Sequence, residues 1–373
     1  MANVIVFAPI CFEQGMAGSK RLGNLSKDIP PRYAVVNLFA GMNGKKTRGH
    51  TSLSFSGFVE FYHQVVRLKR DYEMAYFYYY GYPTIQNIHY LLLVHLLGYH
   101  LILDIVEDYR VVRGLKKGLR WKIKINVSLL LLKLSRFFPI SYVGISEPII
   151  QWLNNYIADA QRIICIPVSV DSELIHRIKK KEVTAGDRLT FFYGGTFAEK
   201  DDILILLEAF NLLVKSYSRG VKPRLILTGK ASADKISPVT EYIRVNELQE
   251  SISYLGFLSD ADYYHAIHHA DILIMPRNNS DFSNTGFPFK LGEYMATGNC
   301  TIVARIDSLI GLIHDDEVVF YQPSDIQDLK ERMLEASSSE HLRREVGKLG
   351  RKRSLYHFSS KNHSKKLIRF LEA

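Results

Sequence analysis

The sequence predicts an α/β protein of two Rossmann-like, doubly wound domains, because apolar strand-like runs alternate with helical patterns almost throughout its 373 residues. The alternation occurs twice. It runs to Asp171, gives way to a polar, lysine-rich stretch over 179–187, and restarts at Leu189. Length supports two or three domains, and 47% hydrophobic with 23% charged residues allows a large core. In the first half, strands are expected over 4–8, 33–38, 74–79, 100–105, 142–145 and 162–166. In the second, the order is strand 189–193, helix 203–216, strand 224–227, helix 237–248, strand 252–255, helix 261–269, strand 272–275, helix 288–297 and strand 300–304. The expected division is 1–170, 171–350 and a C-terminal helix over 351–373 that packs back on the first domain.

The segment from Met1 to Pro9 lacks the basic start and long apolar core of a signal peptide and reads as a first buried strand, so a cytoplasmic location is expected. The most apolar stretch, 88–106, is broken by His89, His95, Gly98, His100 and Asp104, which makes a bilayer span costly; no transmembrane helix is expected. Cys11, Cys165 and Cys300 match no metal spacing and read as buried thiols in a reducing compartment.

A net charge of +10 favours acidic partners: nucleotides, nucleic acid or anionic lipid. Between Arg110 and Arg136 lie nine basic residues and no acidic one. Arg113, Lys117, Arg120 and Lys124 fall on one helical face, with Trp121, Ile125, Leu129 and Leu132 on another. That is the pattern of a helix lying on an anionic membrane surface; the alternative is a solvated basic face over a core helix. No RNA- or DNA-binding motif accompanies the charge, so nucleic acid is not the expected partner.

Ligands of open α/β sheets bind beyond the carboxyl ends of strands. The loop after the first strand carries Gly15, Gly18 and Lys20 without the GxGxxG spacing, which argues against a nicotinamide or flavin dehydrogenase. After the strand at 189–193 come Gly194, Gly195 and Thr196, with Lys200 opening the next helix, a loop suited to an anion. Gly286, Phe287 and Pro288 then lead into a helix stopped by Gly298, with Pro288 as its first residue. Lys290 would stand in its first turn, where the dipole disfavours a cation by about 0.3–1 kcal/mol unless an anion is bound. Glu293 follows on the same face, able to accept two hydrogen bonds from a sugar diol. The alternative is an amphipathic helix with a snorkelling lysine. Asp260 and Asp262 fit a helix start better than a metal motif, and His265, His268 and His269 read as structural. The run from Tyr76 to Tyr82 reads as a buried aromatic strand rather than a stacking surface.

Six blocks in order resemble the donor domain of glycosyltransferase family 4, retaining enzymes with the glycosyltransferase B fold. They are Tyr193 to Lys200, Leu225 to Gly229, Ser253 to Asp260, Ala270 to Pro276, Phe287 to Gly298 and Phe320 to Asp325. The branch resembled has the donor motif Pro-x-Lys-x-x-Glu-Tyr, here Pro288 to Tyr294. The first half is similar only through Gly15, Gly18 and Asp104 to Tyr109. The resemblance implies two domains facing across a cleft, Lys200 on the donor diphosphate and Glu293 on the ribose. It also implies donor contacts at Gly194, Gly195, Thr196, Gly229, Phe257, Thr285, Gly286 and Phe287. Gly195 stands where the family often has an arginine, for which Lys290 substitutes, and Thr285 stands where the paired-glutamate motif has its first acid.

In such enzymes Lys200, Lys290 and nearby amides would stabilise the charge gained by the leaving nucleoside diphosphate, with no metal or cofactor required. Asp108 or Glu107, at the end of a first-half strand, would orient the acceptor; otherwise Asp108 caps a helix. The function expected is transfer of a hexose from a nucleotide sugar to a lipid-linked or glycan acceptor at the cytoplasmic membrane face, in surface polysaccharide or glycoconjugate synthesis. A nucleotide-sugar epimerase or hydrolase, or a non-catalytic nucleotide-sugar binder, are the competing readings.

Overall fold

The computed structural model describes residues 3–8, 17–40, 51–114, 118–157, 162–171, 173, 188–218 and 220–373. They form two compact units. One comprises Met1–Ser169, Thr285–Phe287 and Ser360–Ala373, the other Val170–Asn284 and Pro288–Ser359. The lysine-rich stretch over 179–187 lies outside the described residues.

The first unit is a seven-stranded parallel sheet in the order β3-β2-β1-β4-β5-β6-β7. Its strands are β1 (Asn3–Ala8), β2 (Tyr33–Ala40), β3 (Thr51–Phe55), β4 (Ala75–Tyr80), β5 (His100–Ile105), β6 (Ile140–Gly144) and β7 (Ile163–Cys165). Helices α1 (Ala17–Lys27), α2 (Phe58–Asp71), α3 (Ile88–Leu96), α4 (Tyr109–Gly114), α5 (Leu119–Leu134) and α6 (Glu147–Ile157) connect them. Strands covered on both faces need apolar residues without alternation. The tyrosines of β4 meet that need, with Tyr76, Tyr78 and Tyr79 all buried. Strand β3 was not expected, because Thr-Ser-Leu-Ser-Phe is half polar; it is tolerated as the sheet's outer strand. The last helix, α14 (Ser360–Glu372), sends Leu367 and Ile368 into the same core as Phe7, Tyr76 and Tyr78.

Helix α5 corrects the expected membrane face. Ile125, Leu129 and Leu132, read as the apolar row toward lipid, are buried inside the unit, and Trp121 is half-buried. Arg120 and Lys124 are exposed. Lys117 and the side chain of Arg113 lie outside the described residues. Among the described residues, no helix is long and apolar enough to cross a membrane.

The second unit is a six-stranded parallel sheet in the order β10-β9-β8-β11-β12-β13. Its strands are β8 (Thr190–Gly194), β9 (Arg224–Thr228), β10 (Ile252–Tyr254), β11 (Ile272–Met275), β12 (Cys300–Ala304) and β13 (Val319–Tyr321). Helices α7 (Ile203–Ser216), α8 (Ala233–Val245), α9 (Asp260–His269), α10 (Asp281–Thr285), α11 (Leu291–Thr297), α12 (Ile326–Ser338) and α13 (Glu340–His357) complete it. Two boundaries differ from expectation. Helix α8 starts at Ala233, before Pro238, instead of taking proline near its start. Helix α11 starts at Leu291, not Pro288, because the Leu291 N–H closes a turn onto the Pro288 carbonyl at 3.0 Å. Its stop is as read: Gly298 is left-handed at φ 76°. Burial pushes the Cys300 thiol up to about 12 and that of half-buried Cys165 to about 11; Cys11 is outside the described residues.

Candidate functional site

In the second sheet the strand order reverses between β8 and β11, and a reversal of this kind opens a crevice beyond the strand ends. Gly194 ends β8 there. Its N–H donates to the Tyr294 hydroxyl at 2.9 Å. A side-chain carbon at Gly194 would stand 3.2 Å from Lys290 Nζ, so the glycine makes room for the ammonium beside the strand end. Lys290 Nζ also lies 4.7 Å from the centroid of the Tyr263 ring, within cation–π range. Lys290 is the N-cap of α11 rather than a first-turn residue, and α11 has only seven residues. Its placement therefore rests on Gly194 and Tyr263 more than on the helix dipole.

The loops after β8 and β9 touch through their backbones. Gly195 N–H donates to the Thr228 carbonyl at 2.9 Å, and Gly229 N–H to the Gly256 carbonyl at 2.9 Å. Gly229 has φ +145°, and a side-chain carbon there would fall 1.6 Å from the Gly195 carbonyl oxygen. Only glycine fits. Gly229→Ala is expected to lower the melting temperature clearly, the backbone conformation alone costing about 1–3 kcal/mol. A variant that melts with the wild type would remove this close approach.

Lys200 stands in a short 3-10 turn, Glu199–Asp201, with its Nζ 4.4 Å from the centroid of the Phe282 ring. Its carbonyl accepts the Asn278 N–H at 3.2 Å, and the Asn278 side chain donates to the Glu199 carbonyl at 3.0 Å. Beside them Arg277 and Asp201, both buried, pair at 3.1 Å. The loop after β8 is thereby tied to the loop after β11, which fixes the backbone from which Lys200 extends. Thr196 is exposed, and its hydroxyl donates to Asp201 Oδ2 at 3.4 Å.

Glu293, only 5% exposed, lies in the first turn of α11. Its Oε1 accepts from the Tyr264 hydroxyl at 2.8 Å and its Oε2 from the Tyr263 hydroxyl at 3.1 Å. Burial, reinforced by the neighbouring carboxylate, pushes both phenols above their ordinary range, so both stay protonated donors. The two phenols fix the orientation of the carboxylate. Phe257, 54% exposed, follows Gly256. Thr285 ends α10 and groups with the first unit, where its carbonyl accepts from Ser146 Oγ at 2.6 Å; Gly286 is half-buried and Phe287 buried.

Residues 175–353 match the family described as Glycosyl transferases group 1. This segment, just under half of the chain, is similar to a group 1 glycosyl transferase domain. The whole chain shares its fold with solved glycosyltransferases at low identity. A glycosyltransferase from Rickettsia africae ESF-5 superposes with a TM-score of 0.72 at 14% identity, covering 100% of this chain and 98% of that one. The sucrose-phosphate synthase of Thermosynechococcus elongatus does so with 0.70 at 12%, over 100% and 98%. Anabaena Alr3699/HepE, solved with UDP and glucose, gives 0.75 at 13%, over 100% of both chains. Among curated proteins no sequence matches. The two Rossmann-like sheets are thus a glycosyltransferase B architecture.

Within the matched segment, Lys290, Gly194 and Tyr263 come together, as do Gly195 and Gly229. Sequence reading missed Tyr263, Tyr264, Tyr294 and Arg277. Tyr294 lay inside the donor motif, but its partner, the Gly194 amide, is 100 residues away. Asp260 and Asp262 occupy the first turn of α9, whose cap Ser259 accepts the Asp262 N–H at 3.2 Å.

The first unit's candidates are differently placed. Gly18 and Lys20 belong to α1, not to a loop, and Gly15 lies outside the described residues. Beside them Arg21 is fully buried, its Nε and Nη2 each 2.8 Å from an oxygen of Asp104. Asp108 is buried and takes the capping role: Oδ1 accepts the Arg110 N–H at 2.9 Å while Oδ2 pairs with the Arg110 guanidinium at 2.7 Å. Tyr82 and Tyr109 stack beside it at 3.6 Å.

Proposed function

We propose that the chain is a retaining glycosyltransferase that moves a hexose from a nucleotide sugar to a lipid-linked or glycan acceptor, in surface polysaccharide or glycoconjugate synthesis. The observation that carries this reading is the Lys290 ammonium lodged against Gly194 at the reversal point of the second unit's sheet. A departing nucleoside diphosphate gains negative charge, and cations already in place stabilise that state more than the ground state. Lys290 and Lys200 would supply the charge in place of a metal or cofactor. Glu293, held by two phenols, would accept the ribose diol, and exposed Phe257 would offer a face to the base. Amides at Gly286 and Phe287 would face the phosphates or sugar, and Gly194, Gly195, Thr196, Gly229 and Thr285 are the other donor contacts that the family resemblance assigns. Asp108, engaged by Arg110, would act on the acceptor side by orienting rather than by taking a proton. Attachment of this cytoplasmic protein to an anionic membrane face through Arg113, Lys117, Arg120 and Lys124 completes the proposal.

A thermal-shift screen against UDP, GDP, ADP, TDP, CMP and their sugar conjugates tests it, UDP first because it is the nucleotide held by HepE. A ligand at ~100 times its dissociation constant adds about 2.7 kcal/mol of stability. Glu293→Gln should weaken the binding of the responding donor, since each charge-assisted hydrogen bond is worth about 1.5–3 kcal/mol. Activity near wild type in that variant would sink the ribose role. Sugar turnover without any acceptor would mark an epimerase or hydrolase, and binding without donor consumption over a broad acceptor panel a non-catalytic binder.

A further inference from the structure

Helix α5 turns Ile125, Ser128, Leu129 and Leu132 into the first unit's core. At 3.6 residues per turn, Leu119, Ile123, Leu130 and Leu134 then fall on the opposite side within an arc of about 60°. All four are exposed, Leu119 by 74%. Arg120 and Lys124 flank this stripe on one side, Lys122 and Lys133 on the other, and all four are exposed. Phe137 and Phe138 prolong it beyond the helix end. An apolar stripe edged by long cations on both sides is built for an interface in which the stems lie on hydrocarbon and the charges reach phosphate. No aspartate or glutamate occurs from Tyr109 to Ser146, nor in α3 beside it.

A second observation lies at the C-terminal end of the stripe. Helices α3 and α5 enclose a cavity of about 230 Å³, lined by Leu91, Leu92, His95, Leu131, Leu134 and Phe138 among others and almost without polar surface. Leu92, Leu134 and Phe138 are exposed as well as lining it, so its mouth lies on the outward face of α5. Exposed apolar patches rimmed by polar residues mark protein, membrane or ligand contact sites.

We propose that this face docks on an anionic lipid bilayer and that the cavity seats one hydrocarbon chain from it. The inference rests on the membrane attachment proposed above, keeps Arg120 and Lys124 as contacts and adds Lys122, Lys133 and the exposed apolar stripe. The full chain should co-sediment with vesicles of equal parts phosphatidylglycerol and phosphatidylcholine at low salt, and stay bound when high salt screens the charges. Arg120→Glu, Lys122→Glu, Lys124→Glu and Lys133→Glu together should abolish binding at low salt. Leu130→Asp with Leu134→Asp, both on the solvent side, should leave the circular dichroism unchanged and cut the salt-resistant fraction by about tenfold. Leu131→Trp, which fills the cavity without adding charge, should do the same. If salt elutes the wild type completely, or the leucine variants bind as it does, the hydrocarbon seat is overturned while charge attachment stands. If the wild type does not sediment even at low salt, membrane attachment itself falls, and this inference with it; donor binding is measured separately and is untouched by either result.

Discussion

Replacing Lys290 with alanine is expected to weaken nucleoside diphosphate binding by ~10- to 150-fold, the equivalent of about 1.5–3 kcal/mol for one charge-assisted hydrogen bond. Turnover should fall by about 10²–10³, the usual loss when a pre-oriented group is removed from a developing negative charge. The apo protein should lose little. Sequence alone argues for no loss at all, because a first-turn lysine opposes the helix dipole. The structure places Lys290 at the N-cap and its ammonium over Tyr263, so the variant forfeits a contact worth about 0.5–1 kcal/mol. Lys290→Arg restores the charge as a planar fork, whereas the space beside Gly194 holds a compact ammonium, so only part of the turnover should return. Calorimetric titration and donor consumption check both variants. An unchanged affinity in Lys290→Ala would remove the phosphate contact on which the functional reading stands.

The second unit was legible because its chemistry is written in short loops. A strand followed by two glycines carries its meaning within a few residues and places Gly194 and Gly195 at a strand end, whereas Lys200, expected to open a helix, falls in a 3-10 turn and Lys290, expected in a first turn, at an N-cap. The partners of those residues are not local. Tyr263 and Tyr264 reach Glu293 from 30 and 29 residues away, and no pattern on α9 marks them. Arg277 meets Asp201 only because β8 and β11 are neighbours in the sheet. Helix α5 shows a different limit. Its apolar residues occupy two sides, so periodicity cannot say which side is core, and the row assigned to lipid is the one the fold buries. The expected start of α11 failed for a local reason: Pro288 suits a turn as well as a first helical position, and the turn prevails.

Asp104→Ala is expected to destabilise the first unit by about 3–5 kcal/mol, the cost of leaving a buried charge without its partner. Against a typical total of about 5–15 kcal/mol for a domain, that is enough to separate its unfolding from the second unit's. The guanidinium of Arg21 is fully enclosed. Burial opposes its charge, yet Asp104 outweighs burial and pushes the group further up. Arg21 also donates to the Pro167 carbonyl at 2.8 Å and the Ile166 carbonyl at 2.9 Å, so a single side chain joins α1, β5 and the chain leaving β7. Arg21→Met with Asp104→Leu removes both charges at once, and an apolar replacement of a buried pair is often neutral; here the two carbonyls lose their donor, so recovery should be partial. Scanning calorimetry on the full chain distinguishes the cases: a lower first transition in Asp104→Ala, partly restored in the double variant. If Asp104→Ala melts with the wild type, the pair is not what fixes α1. If the first transition falls as expected, Gly18 and Lys20, carried on the same helix three residues and one residue before Arg21, owe their positions to it.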